Sequence, residues 1–216
     1  MEPLHYRSND IVSGLLHLIG AACAIAILVV LIVLSVDTYH VVGYTLYGSG
    51  LILLYTASTV YHLLPPAFTK AKSILRRVDH AMIYVLIAAT YTPISFLALS
   101  GGWKWSIFGV IWGLALFGIL AKFVMKQSKM AAYASTALYV VMGWLIVIAI
   151  VPLIQGTSTA TFVCLVCGGV AYTVGAVFFA IDSVIPKRQY FWMHEIFHLF
   201  VLAGSALHTI AMFLLL

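Results

Sequence analysis

Carboxylates are scarce in this chain. Six Asp and Glu occur among 216 residues, and charged residues of both signs make up 8%. A soluble domain carries about 25%, so a water-facing surface cannot be clothed and a soluble globular protein is excluded. Disorder is excluded too, because it needs low hydrophobicity and high charge, and here 64% of residues are hydrophobic. Six prolines and sixteen glycines are too few for a collagen-like or low-complexity chain. The three cysteines, Cys23, Cys164 and Cys167, all lie in apolar runs. An odd count without a loop framework argues against structural disulfides, and the Cys164/Cys167 CxxC reads as helix packing. What remains is a polytopic membrane protein. Its net charge of +5 reads as cationic loops facing anionic lipid. No basic–aromatic patch argues for a nucleic-acid partner.

A membrane-crossing helix needs about 20 mostly apolar residues. Seven runs qualify: Ile11 to Val36, Val41 to Leu64, Asp79 to Leu99, Trp105 to Met125, Ala132 to Leu153, Ala160 to Ile181, and Phe191 to Leu216. The fifth and sixth are divided at Pro152 and the polar stretch from Gln155 to Thr159. The first run is not expected to be a cleaved signal peptide, being long and without a clean small-residue cleavage site. Arg7, Lys70, Lys72, Arg76, Arg77, Lys122, Lys126, Lys129, Lys187 and Arg188 fall on one side of a seven-span topology, and Lys104 alone on the other. That asymmetry places the N-terminus in the cytoplasm and the C-terminus outside, opposite to a G-protein-coupled receptor. Gly109 and Gly113 form a GxxxG, a pattern of close helix packing. No internal repeat, linker or second domain is visible. The expected fold is all-α: one seven-helix bundle over residues 1–216, in the cell membrane.

Ionisable residues within spans are costly and mark function by default. His62 closes the second span, Asp79 and His80 open the third, His194 and His198 open the seventh, and His17 lies early in the first. Alternation brings all of them to the cytoplasmic end. His194 and His198, at i and i+4, share a helix face and can present two imidazoles to one metal. Such a pair alone also fits hydrogen bonding to backbone carbonyls or lipid headgroups. His62 at matching depth supplies a third ligand, and three histidines with an open fourth position is the pattern of catalytic zinc. Asp79 is placed to handle a proton, and Ser58 lies one turn deeper than His62 on the same face. Neighbours on a helix point about 100° apart, so Asp79 and His80 are not expected to share a site. His208, roughly 21 Å along the axis from His194, reads as a buried hydrogen-bonding histidine. Glu195 points away from the His194/His198 face. His5, His40 and Asp37 read as tail and loop residues.

These residues carry a resemblance. Ser58-Thr-Val-Tyr-His62, Asp79-His-Ala-Met-Ile-Tyr with Thr90-Tyr-Thr-Pro93, His194-Glu-Ile-Phe-His198 with Gly204 and His208, and His17-Leu-Ile-Gly20-Ala21 resemble, in order, signatures of the hemolysin III family. That family is similar to the progestin and adipoQ receptors and, more distantly, to alkaline ceramidases. One departure is Ser13, where the family often has Asn, with Asn9 and Asp10 upstream. The resemblance implies a seven-helix fold with Zn2+ held by His62, His194 and His198 near the cytoplasmic face. Asp79 would hold the zinc-bound water, and Ser58 would line the site. The leading expectation is a zinc-dependent membrane hydrolase of a lipid amide or ester, with a role in membrane homeostasis. The alternatives are a zinc-stabilised membrane sensor or receptor without turnover, and a cytolysin. The spans lack the polar stripe a conducting path needs.

Overall fold

The computed structural model describes residues 4–126, 128–182, 184–185 and 191–216, and of residues 4–9 only the backbone. The Arg7 side chain, Lys187 and Arg188 therefore lie outside the described part. Among the described residues there is no strand, and seven helices are long and apolar enough to cross a membrane. These are α1 (Leu4–Val33), α2 (Thr38–Leu63), α3 (Thr69–Ala98), α4 (Gly101–Val124), α5 (Lys129–Gln155), α6 (Thr159–Asp182) and α7 (Met193–Phe213). The expected spans are all present, with ends shifted by a few residues except at the starts of α1 and α3.

Local chemistry explains the boundaries. Asp37 caps α2, its carboxylate accepting from the His40 backbone N–H at 2.9 Å. That bond and the His40 ring hold this carboxyl below its ordinary range. Pro65 and Pro66 follow the end of α2, and a residue before proline is pushed out of helical geometry. Ser128 caps α5 by accepting from the Ala131 N–H. The third helix starts at Thr69, well before the expected Asp79. Its Lys-Ala-Lys-Ser-Ile-Leu-Arg-Arg opening is rich in helix formers, so the helix projects past its apolar part. Asp79 consequently sits inside the helix rather than at its mouth. Pro93 lacks an N–H, and α3 finishes in a π-type turn over Ile94–Ala98.

The fifth helix is broken. It is regular to Trp144, tightens to a 3-10 turn over Leu145–Ala149, and resumes at Ile150. An unsatisfied backbone group in a bilayer costs several kcal/mol. Here the Tyr91 hydroxyl, from α3, donates to the Gly143 carbonyl at 2.8 Å and accepts from the Ile146 N–H at 3.0 Å. Pro152 falls in the first turn of the resumed segment, where its missing N–H is tolerated.

Sequence neighbours α1 to α4 pack side by side, and α7 packs on both α6 and α1. Tyrosine hydroxyls of α2 also reach α7: Tyr44 donates to the Met212 carbonyl at 2.9 Å, and Tyr55 to Ser205 Oγ at 2.7 Å. By contrast α5 packs sparsely and is held by side-chain bonds, with Tyr139 donating to the His80 carbonyl and Trp144 to Thr173. Tyr44, Tyr47, Leu51, Tyr84, Ile111 and Met212 form the buried core, while Ile19, Val29, Phe117, Leu120 and Val151 point outward. An apolar exterior of this kind matches lipid rather than water.

The expected GxxxG seam is not formed. A methyl group added at Gly109 or Gly113 would meet nothing within 4 Å. Close approach occurs instead at Gly156, where a Cβ would fall on the Ala98 carbonyl oxygen. Gly156→Ala is therefore expected to destabilise the protein by about 1–3 kcal/mol, the usual cost of overpacking, with Gly109→Ala unchanged. Thermal unfolding in detergent checks both, and equal midpoints would contradict this packing.

Candidate metal centre

His62 lies in the last turn of α2, and His194 and His198 lie one turn apart at the start of α7. The fold brings all three together, with one ring nitrogen of each within 4.8 Å of the others. The Nε2 atoms of His62 and His194 stand 3.4 Å apart. Two nitrogens bound tetrahedrally to zinc at about 2.0–2.1 Å are separated by roughly 3.3–3.4 Å, so this pair has the spacing that such an ion requires.

Two of the rings have a carboxylate behind them. The Asp10 carboxylate of α1 lies 3.1 Å from His62 Nδ1. A carboxylate only accepts, so Nδ1 is the donor and Nε2 keeps a lone pair facing His194. Lys72 of α3 donates to the other Asp10 oxygen at 2.7 Å and to the Leu64 carbonyl at 3.1 Å, which clasps α1, α2 and α3 together. Asp182, at the end of α6, has an oxygen 3.7 Å from His194 Nδ1. Carboxylates behind ligand histidines are the usual means of setting tautomer and ring orientation. His198 is 1% exposed and stacks on His17 with ring centroids 3.8 Å apart.

Several polar atoms here are buried without a partner: His198 Nδ1, both nitrogens of His17, and Ser58 Oγ. Each such atom costs about 1–3 kcal/mol. Their concentration around one point fits a site that holds something.

A narrow cavity of about 130 Å³ joins these residues. His17, Ser58, Asp79, His80, His194 and His198 line one end, His208 contributes near the other, and most of the wall is apolar. The Ser58 hydroxyl faces the Asp79 carboxyl. Contrary to expectation, Asp79 and His80 both line the space. Glu195 does point away: buried, it accepts from Ser13 at 3.0 Å and from the Trp192 N–H at 2.7 Å, capping α7 and tying it to α1. His208 is the expected hydrogen-bonded histidine, with Nδ1 donating to the Gly204 carbonyl at 2.9 Å.

The sequence placed Lys72 among the topology-setting cations and Asp10 and Ser13 in the entry to the first span, with no part in the site for any of them. A signal for two of them was present, since Asp10, Ser13 and His17 stand at i, i+3 and i+7 and form one polar stripe on an otherwise apolar helix.

Comparison with known proteins agrees with this architecture. A family profile described as haemolysin-III related matches residues 5–209. Hemolysin-3 of Bacillus cereus is 39% identical over 207 residues, covering 94% of this chain and 89% of that protein. A hemolysin-3 homolog of Bacillus subtilis (strain 168) is 39% identical over 202 residues, covering 92% and 90%. The human monocyte to macrophage differentiation factor is 31% identical over 185 residues, covering 82% of this chain and 72% of that protein.

Proposed function

The chain belongs to the haemolysin-III-related family of multi-pass membrane proteins, and we propose that it is a zinc-dependent hydrolase of a lipid amide or ester. Residues 1–216 act as one unit, with the histidine end on the cytoplasmic side, as the cation asymmetry indicates. The observation that carries the reading is the convergence of His62, His194 and His198, two of which, His194 and His198, open onto a largely apolar cavity that the half-buried Asp79 also lines.

His62, His194 and His198 would hold the ion. Bound zinc supplies an acidified water, with a pKa of about 7, and polarises a carbonyl. Asp79 takes a proton from the attacking water and returns it to the leaving nitrogen or oxygen. Ser58 donates its unpartnered hydroxyl to the carbonyl oxygen as charge develops there. Asp10 and Asp182, beside the Nδ1 atoms of His62 and His194, would orient the two rings for that role. The apolar wall takes an acyl chain and excludes water.

Elemental analysis of the purified protein tests the metal, and mass spectrometry of fatty acid released from ceramide-type and ester lipids tests the reaction. One zinc per chain is expected, with release that stops on chelation and returns with zinc. Protein that carries zinc yet releases no fatty acid would sink hydrolysis and leave a zinc-stabilised sensor. Protein purified without metal would sink both.

A further inference from the structure

A second cavity, of about 680 Å³, opens between α3, α4 and α5 at the histidine end of the bundle. Arg76, Arg77, Lys122, Lys126 and Lys129 line it, and no carboxylate does. Among the described residues none of these five forms an ion pair. Lys72, one turn before Arg76, contrasts with them, since its ammonium is neutralised by Asp10 at 2.7 Å. Arg77 donates one N–H to the Phe123 carbonyl at 3.2 Å, which fixes the guanidinium between α3 and α4 and leaves its other donors available.

Cations that serve only to set topology need not converge. These converge on one hollow with apolar and hydroxyl-bearing walls, where a bound anion would relieve their mutual repulsion. The hollow adjoins the candidate site. A third cavity, lined by His62 and His194 and also by the Asp10, Asp182 and Glu195 carboxylates, shares Arg76, His80, Ala132 and Tyr133 with it. Arg76 and His80 lie one turn apart on one face of α3, with Cβ atoms about 5–6 Å apart. His80 lines all three spaces.

We propose that this basic cavity seats the phosphate headgroup of an anionic phospholipid from the bilayer, and that the lipid presented to the histidine cluster is anionic rather than neutral. Charge selects the ligand class, and position at the end of membrane-spanning helices selects a lipid over a soluble phosphate. The binding part stands on the cavity alone, and the substrate part rests on the hydrolase reading above.

Native mass spectrometry of the purified protein, mixed with phosphatidylglycerol and phosphatidylcholine, reads the preference directly. Wild type should retain phosphatidylglycerol. Arg76→Gln with Lys122→Gln should weaken that retention about thirtyfold, at roughly fivefold for each lost charge. Arg76→Lys with Lys122→Arg should keep it, which separates charge from folding. Lys104→Gln, at the opposite end, should leave it intact. Equal retention of the two lipids by wild type, or no loss in the double Gln variant, would overturn the proposal. Displacement of the lipid by inorganic phosphate at matched concentration would overturn it in favour of a soluble anion. His194→Ala protein should show the same preference. Failure of hydrolysis with the preference intact therefore counts against the hydrolase reading and supports the headgroup site.

Discussion

Asp79→Asn is expected to lower lipid turnover by roughly 10²- to 10⁴-fold, the usual contribution of a positioned acid–base group, with zinc content unchanged. The replacement is nearly isosteric, so the cavity that Asp79 shares with Ser58, His194 and His198 keeps its shape. What is lost is the ability to take a proton from water and hand it on. Asp79 is not among the three residues whose nitrogens converge, so the ion should remain. Steady-state release of fatty acid, with zinc measured on the same sample, separates the two effects. Undiminished turnover would remove Asp79 from the mechanism, and loss of zinc would make it a ligand instead.

The largest effect on metal is expected from His194→Ala, which should reduce bound zinc to near background. Its Nε2 stands 3.4 Å from that of His62, and without it two imidazoles remain from different helices, too few for a stable site. Metal that binds the folded state at a hundred times its Kd adds about 2.7 kcal/mol of stability, and this variant should lose that increment. Asp10→Ala should sit between it and wild type, with zinc affinity lowered about 10- to 100-fold, because His62 persists while the acceptor for its Nδ1 is gone. Competition with a chelator of known affinity ranks the three proteins. An Asp10→Ala protein with wild-type affinity would mean that the His62–Asp10 bond has no bearing on the metal.

The seven spans and the histidine set were legible because lipid imposes blunt constraints. Long apolar runs and rare ionisable residues stand out against each other, and helical spacing places His194 with His198 at once. What escaped depended on contacts between helices. Asp10 looked like part of an entry segment, and only the clasp through Lys72 shows it aligned behind His62. The break in α5 has no Pro or Gly at its turn over Leu145–Ala149; it is completed by Tyr91 from another helix, which one-dimensional hydropathy cannot report. The GxxxG of α4, a pattern that also arises by chance, makes no close approach within the chain, because small residues permit such packing without requiring it.

The ties between α1 and α7 also bear on biogenesis. Ser13 and Glu195 are joined across 182 positions of sequence, and His17 stacks on His198. As helices emerge in order from the synthesis machinery, α1 waits through the arrival of every other segment before it finds these partners. Until α7 inserts, the chain carries one of the three converging histidines and the polar stripe of α1 faces unfinished surroundings. Completion of the cluster thus requires that α7 has entered the membrane, and a loaded centre would report that it has.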